Sequence, residues 1–144
     1  MEETIKDLDE NLVYLGHQVH SDYLEICVCS SLKSVSCPFC GHTSSRFHST
    51  YPRSFQDLPL QGKKVIITLS NRKYFCSNPE CTHNTFAEQF SFIQPKSKKT
   101  NRLLNLILTL SIEVSSVTAS KMLRNGIVDI GKSTICNYLK KNSN

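Results

Sequence analysis

The sequence predicts an α+β protein, and three observations carry that expectation. Apolar residues alternate with period two in two stretches of the first half, residues 23–29 and 63–75. After residue 100 the apolar spacing becomes helical. Between these regimes, Cys37-Pro-Phe-Cys40-Gly and Cys76-Ser-Asn-Pro-Glu-Cys81 bracket a basic, strand-like segment.

Two short cysteine pairs can each supply one edge of a tetrahedron of thiolates from a tight turn, which is how a closed structural zinc site is built. Pro38 and Gly41 flank the first pair and Pro79 lies inside the second, marking those turns. Two disulfides are the competing reading, but the chain has seven cysteines, an odd number, and disulfides need an oxidising compartment. Buried free cysteines are the other alternative. The spacing favours one structural Zn2+ held by Cys37, Cys40, Cys76 and Cys81. The expected architecture is a small antiparallel β zinc-ribbon-like module followed by a three-helix module like a helix-turn-helix.

A small module buries too little apolar surface to be stable unaided. Structural zinc contributes apparent binding free energies of roughly 10–16 kcal/mol, above the net stability of most domains. The first ten residues are acidic and lead into no apolar core, so no signal peptide is read there. The longest apolar stretch, residues 103–112, is too short to span a bilayer as a helix. A cytoplasmic location with reduced thiols is therefore expected.

The net charge of +5 hides an asymmetry. Residues 1–30 hold Lys6 against seven acids, whereas from residue 31 onward the only acids are Asp57, Glu80, Glu88, Glu113 and Asp129 against 16 Lys and Arg. Such a split points to a polyanionic partner, with nucleic acid first among the candidates.

In chain order, residues 1–11 read as a lead-in with no chemistry. Residues 12–18 and 22–29 read as two strands, the second placing Cys27 and Cys29 on one face, a spacing that chelates one ion poorly. Residues 41–59 are read as a further strand, limited by Pro52 to an edge or a bulge, and Asp57 to Gly62 is read as its turn. Residues 63–75 return as a longer strand with Val65, Ile67 and Leu69 on one face. Phe86, Phe90 and Phe92 are expected to cover the metal module, which ends at a basic joint over 95–100. Modules are accordingly drawn at 1–11, 12–94 and 95–144.

Thr100 caps a helix with Leu103, Leu104, Ile107, Leu108 and Ser111 as its inner stripe. Ser115 or Ser116 caps a second, with Ala119, Met122 and Leu123 inward and Asn125-Gly126 as its end. Ser133 caps a third, with Ile135, Tyr138 and Leu139 inward and Cys136 as a core thiol. A helix pair of this kind is consistent with a helix-turn-helix, although residues 126–131 exceed the usual turn.

With these motifs in hand, the chain resembles the N-terminal region of bacterial insertion-sequence transposases of the ISL-three family. The resemblance rests on Cys37-Pro-Phe-Cys40-Gly, on residues 48–59, on Arg72-Lys-Tyr-Phe-Cys76-Ser-Asn-Pro-Glu-Cys81 with Thr85-Phe86-Ala87-Glu88, and on the helical segment after residue 100. It implies a zinc module, a helix-turn-helix and binding to terminal inverted repeats of a mobile element in the nucleoid. The implied partner is double-stranded DNA, with self-association as an option and no membrane.

The family's catalytic part is similar to RNase-H-like nucleases, with three carboxylates that hold divalent metal. The scattered acids match no such set, so no nuclease or strand-transfer activity is expected of this chain. Arg46, Arg53, Lys63, Lys64, Arg72 and Lys73 are read as phosphate contacts facing DNA together, against an ordinary solvated strand face. Lys132, Ser133, Thr134 and Asn137 fall where a recognition helix meets bases, Asn137 being suited to adenine. His42, His48 and His83 are weighed as ligands, with His48 and His83 read as partners of backbone or thiolate. The alternative function is a free-standing zinc-ribbon adaptor for RNA or a protein partner.

Overall fold

The computed structural model describes residues 1–114, 116–125 and 127–142. The chain runs α1 (Glu2–Leu8), β1 (Leu12–Val19), β2 (Tyr23–Ser30), β3 (Val35–Ser36), β4 (Thr43–Ser44), β5 (Phe47–Leu60), β6 (Lys63–Phe75), β7 (Thr85–Ala87), α2 (Asn101–Glu113), α3 (Ser116–Arg124) and α4 (Lys132–Asn142). The α+β expectation holds in outline. The main sheet, however, is mixed: its order is β1-β2-β6-β5, with β7 also on β6. β2 and β6 run parallel, from Tyr23 beside Lys64 to Cys29 beside Ser70, so the module is not the purely antiparallel one expected. A second, two-stranded sheet pairs β3 with β4.

Strand parity decides the core. Leu24, Ile26 and Val28 of β2 lie beside Val65, Ile67 and Leu69 of β6, all on one face and all buried. Phe55 joins them from β5, and Phe92 and Ile93 close the layer. Phe90 and Phe92 therefore cover this core, and only Phe86 reaches the cysteine cluster, which corrects the expectation for that trio.

The lead-in has a structural task. Ile5 of α1 is fully buried and packs into the sheet core, while Leu12 begins β1. Ile5→Val should accordingly lower stability by about 0.5–1.5 kcal/mol in urea unfolding; no change would mean that α1 is not packed in solution.

β5 continues through Asp57, which pairs with Val65, so the turn contracts to two residues. Gln61 and Gly62 have φ of 51° and 76°. Positive φ at both central positions is the twist-matched geometry for a two-residue hairpin. Pro52 is accommodated because β5 is an edge strand with register shifts near both ends.

Thr100 accepts a hydrogen bond from the Leu103 backbone N–H and caps α2 as expected. Leu103, Ile107 and Ser111 are buried beneath it. Ala119, Leu123, Val128, Ile130 and Ile135 complete the helical core, but Met122 is 44% exposed and faces outward. α4 begins at Lys132, which puts Ser133 inside its first turn instead of at the cap. Tyr138 and Leu139 pack partly buried against this core, and Cys136 is half-buried. The caps expected at Ser115 and Ser116 and the stop at Gly126 lie outside the described residues and side chains.

The basic joint is tied down. The Gln56 N–H donates to Lys98 O at 2.8 Å and the Thr100 N–H to Gln56 O at 3.0 Å. Asp57, 1% exposed, accepts from Thr100 Oγ1 at 2.8 Å and from both nitrogens of the Arg102 fork. Gln56 Nε2 also donates to Ile127 O, and Leu58 packs against the helical core. Sheet and helices thus share buried contacts across the boundary drawn at residue 95.

Candidate metal centre and nucleic-acid interface

Both cysteine pairs sit on short hairpins. Cys37 follows β3, and its N–H takes His42 O at 2.8 Å while Gly41 N–H bonds back to Cys37 O at 2.8 Å. Gly41 adopts φ 82°, the left-handed region that glycine enters without strain. Cys76 leaves β6 directly, its N–H bonded to Asn84 O at 2.9 Å, and β7 then pairs back on Tyr74 and Phe75.

The four sulfurs lie within 4.8 Å of one another. Cys37 and Cys81 are 3.9 Å apart and Cys40 and Cys76 3.5 Å apart. Zinc bonded to four sulfurs at about 2.3 Å sets tetrahedral edges of about 3.8 Å, so the cluster has the size of the ion. Three backbone N–H groups, two residues beyond their cysteines, stabilise the thiolates: His42 for Cys40, Asn78 for Cys76 and His83 for Cys81. The His42 N–H lowers Cys40 to about 6. At Cys76 the Asn78 N–H also lowers, but burial and the neighbouring thiols outweigh it and push the group up to about 12. Zinc has to displace protons from such a cluster, and its double positive charge is what makes four adjacent thiolates tolerable.

Among known families, residues 33–81 match the zinc-finger of transposase IS204/IS1001/IS1096/IS1165. This segment is similar to the zinc ribbon of ISL3 transposases. With all four donors of one type and none of the tetrahedron left open, the ribbon's ion is structural. The ISL3 match covers the ribbon and identifies no catalytic domain. No curated protein and no solved structure matches the chain. Among the described residues no helix is long and apolar enough to cross a membrane.

Neither histidine read as a thiolate partner does this with its ring. The His48 ring pairs with Ser49 Oγ and leans on Phe75, while the His83 ring stacks on Phe39 at 3.5 Å between centroids. That stack joins the two cysteine turns across the outside of the ribbon. Phe39, 55% exposed, lies between the first two ligands, and nothing in its spacing singles it out.

The hairpin cations do not gather into one patch. Alternation along β6 puts Lys64 and Arg72 on one face and Lys63 and Lys73 on the other. Arg53, beside Leu69, shares the second face and donates to Gln94 O at 2.7 Å. Lys64 is paired with Asp129 at 2.8 Å, which lowers that carboxyl's pKa. Arg72 donates to Leu32 O at 2.8 Å and lines a cavity of about 440 Å³ with Lys33, Phe47, Thr50 and Tyr74. Arg46 lies over the Phe75 ring, and Lys73 over Tyr51. On α4, Lys132, Ser133 and Asn137 are exposed and Thr134, next to the buried Ile135, is half-buried.

Proposed function

We propose that this chain is a DNA-binding part of a transposase, which recognises the terminal inverted repeats of an insertion sequence in duplex form. The observation that carries the reading is a zinc ribbon similar to that of ISL3 transposases, joined through buried contacts to a helical unit whose last helix starts with exposed Lys132 and Ser133 and continues to exposed Asn137. In this reading α3 and α4 act as a helix-turn-helix. The first two turns of α4 enter the major groove, where Asn137 pairs with adenine and Lys132, Ser133 and Thr134 touch bases or flanking phosphates. Lys63 and Lys73, on one face of β6, touch the backbone, while Arg46, Arg53, Lys64 and Arg72, each engaged within the fold, add to the steering field. The excess of basic residues after position 31 supplies the long-range attraction. Work in the nucleoid of a bacterial cytoplasm follows from that role.

A second reading, a ribbon adaptor for single-stranded RNA, draws on Phe47, which is 57% exposed and shares a cavity with Lys33 and Arg72. Selection from a randomised duplex library separates the two. The zinc-loaded chain should enrich one sequence and bind it at least 10³-fold more tightly than scrambled duplex. Asn137→Ala should lose about 1–3 kcal/mol of that preference at a single base position. Equal binding of all duplexes, outcompeted by single-stranded RNA, would sink the specific-reader function.

A further inference from the structure

A cavity of about 850 Å³ lies where the joint at 95–100 meets α2 and α4. Lys96, Lys98, Lys99 and Lys141 line it with Asn105 and Tyr138, and among the described residues no Asp or Glu lines it. Lys96, Lys98 and Lys141 are exposed, whereas Lys99 is half-buried, donating to the Tyr138 hydroxyl at 3.3 Å with its ammonium 5.8 Å from the ring centroid.

These lysines stand on fixed backbone. Gln56 holds residues 98 and 100 through main-chain bonds, and Ser97 Oγ bridges within the joint to Lys99 O at 2.8 Å. Lys96 takes φ 63°, a left-handed conformation that side chains other than glycine rarely adopt. A joint serving only as a tether needs none of this order. Cations already held in place lose less freedom when an anion arrives.

We infer that this groove seats the sugar-phosphate backbone of duplex DNA, beside the bases read by the first two turns of α4. The inference rests on the proposed DNA-binding function and adds to it a second contact, made by the joint. From Ser133 to Lys141 the rise along α4 is about 12 Å at 1.5 Å per residue. That is about the width of the major groove, so a helix whose start meets bases brings its basic end to the strand on the groove's far side. Lys96, Lys98 and Lys141 then contact successive phosphates there, and Asn105 donates to the same backbone.

The test uses the full zinc-loaded chain and the duplex enriched by selection, comparing wild type with K96Q/K98Q/K141Q. All three side chains are exposed, so zinc content and melting temperature should be unchanged. Removing three phosphate contacts should make the slope of log Kobs against log salt shallower by about 2–3. Affinity should fall alike for selected and scrambled duplex, leaving their ratio intact. Amine acetylation read by mass spectrometry should show Lys96, Lys98 and Lys141 protected by duplex and Lys6 not.

An unchanged slope in the variant, with wild-type duplex binding intact, overturns the groove and leaves the proposed function standing. Absence of duplex binding by wild type overturns both. Protection of the three lysines by millimolar inorganic phosphate but not by duplex overturns the groove in favour of a small-anion site.

Discussion

Cys76→Ser abolishes stoichiometric zinc binding and unfolds the two cysteine turns. The local core there, Cys37, Tyr74, Cys76 and Phe86, is too small to hold residues 35–44 and 76–87 in place without the ion. Metal binding of about 10–16 kcal/mol is folding free energy for such a site. Elemental analysis should show one zinc per wild-type chain and none in the variant, with amide resonances of those two segments collapsed into the random-coil range. Those of Ile67 and Leu103 should persist, because each belongs to a separate core. Cys136→Ser, on α4 and outside the cluster, should keep both metal and fold. A folded, zinc-free Cys76 variant would overturn the metal centre.

Asp57→Ala comes second in expected effect, at about 3–5 kcal/mol. Its carboxylate is 1% exposed and satisfies Thr100 and both prongs of Arg102; that hydrogen bonding raises the arginine's pKa. Removing the acid leaves the half-buried guanidinium without its counter-charge at the seam between sheet and helices. At roughly 2–4 °C per kcal/mol for a chain of this size, the melting temperature should fall by about 10 °C. Adding Arg102→Ala should restore part of the loss, since the stranded charge goes with it. A single-variant effect below about 1 kcal/mol, or strict additivity in the pair, would refute the coupling.

What the sequence disclosed depended on the range of the interaction. Cysteine spacing reports a local geometric demand, so the metal cluster was legible in full. Strand alternation from 23 to 29 and the cap at Thr100 are equally local, and both are found where the sequence puts them. The parallel union of β2 with β6 is set by packing between distant segments, which alternation cannot report. Asp57 read as a turn residue for the same reason: only the approach of Arg102 justifies an acid inside a strand. The hairpin cations looked like one patch because residue type reveals charge but not face. Phe90 and Phe92 sit near the cysteines in sequence, yet the sheet core was the larger apolar surface to cover.

The parallel pairing of β2 and β6 also bears on how the chain reaches this state. Parallel neighbours cannot arise from a tight hairpin, and here the crossover between them contains β3, β4, β5 and the first cysteine turn. Closing so long a loop is the slow, entropy-limited part of folding. The hairpin of β5 and β6 can form locally. An ion bound by both cysteine turns holds the end of β6 near the end of β2, which shortens the loop that their ladder has to close and with it the time for which β2 and β6 are open edges exposed to pairing with neighbouring chains.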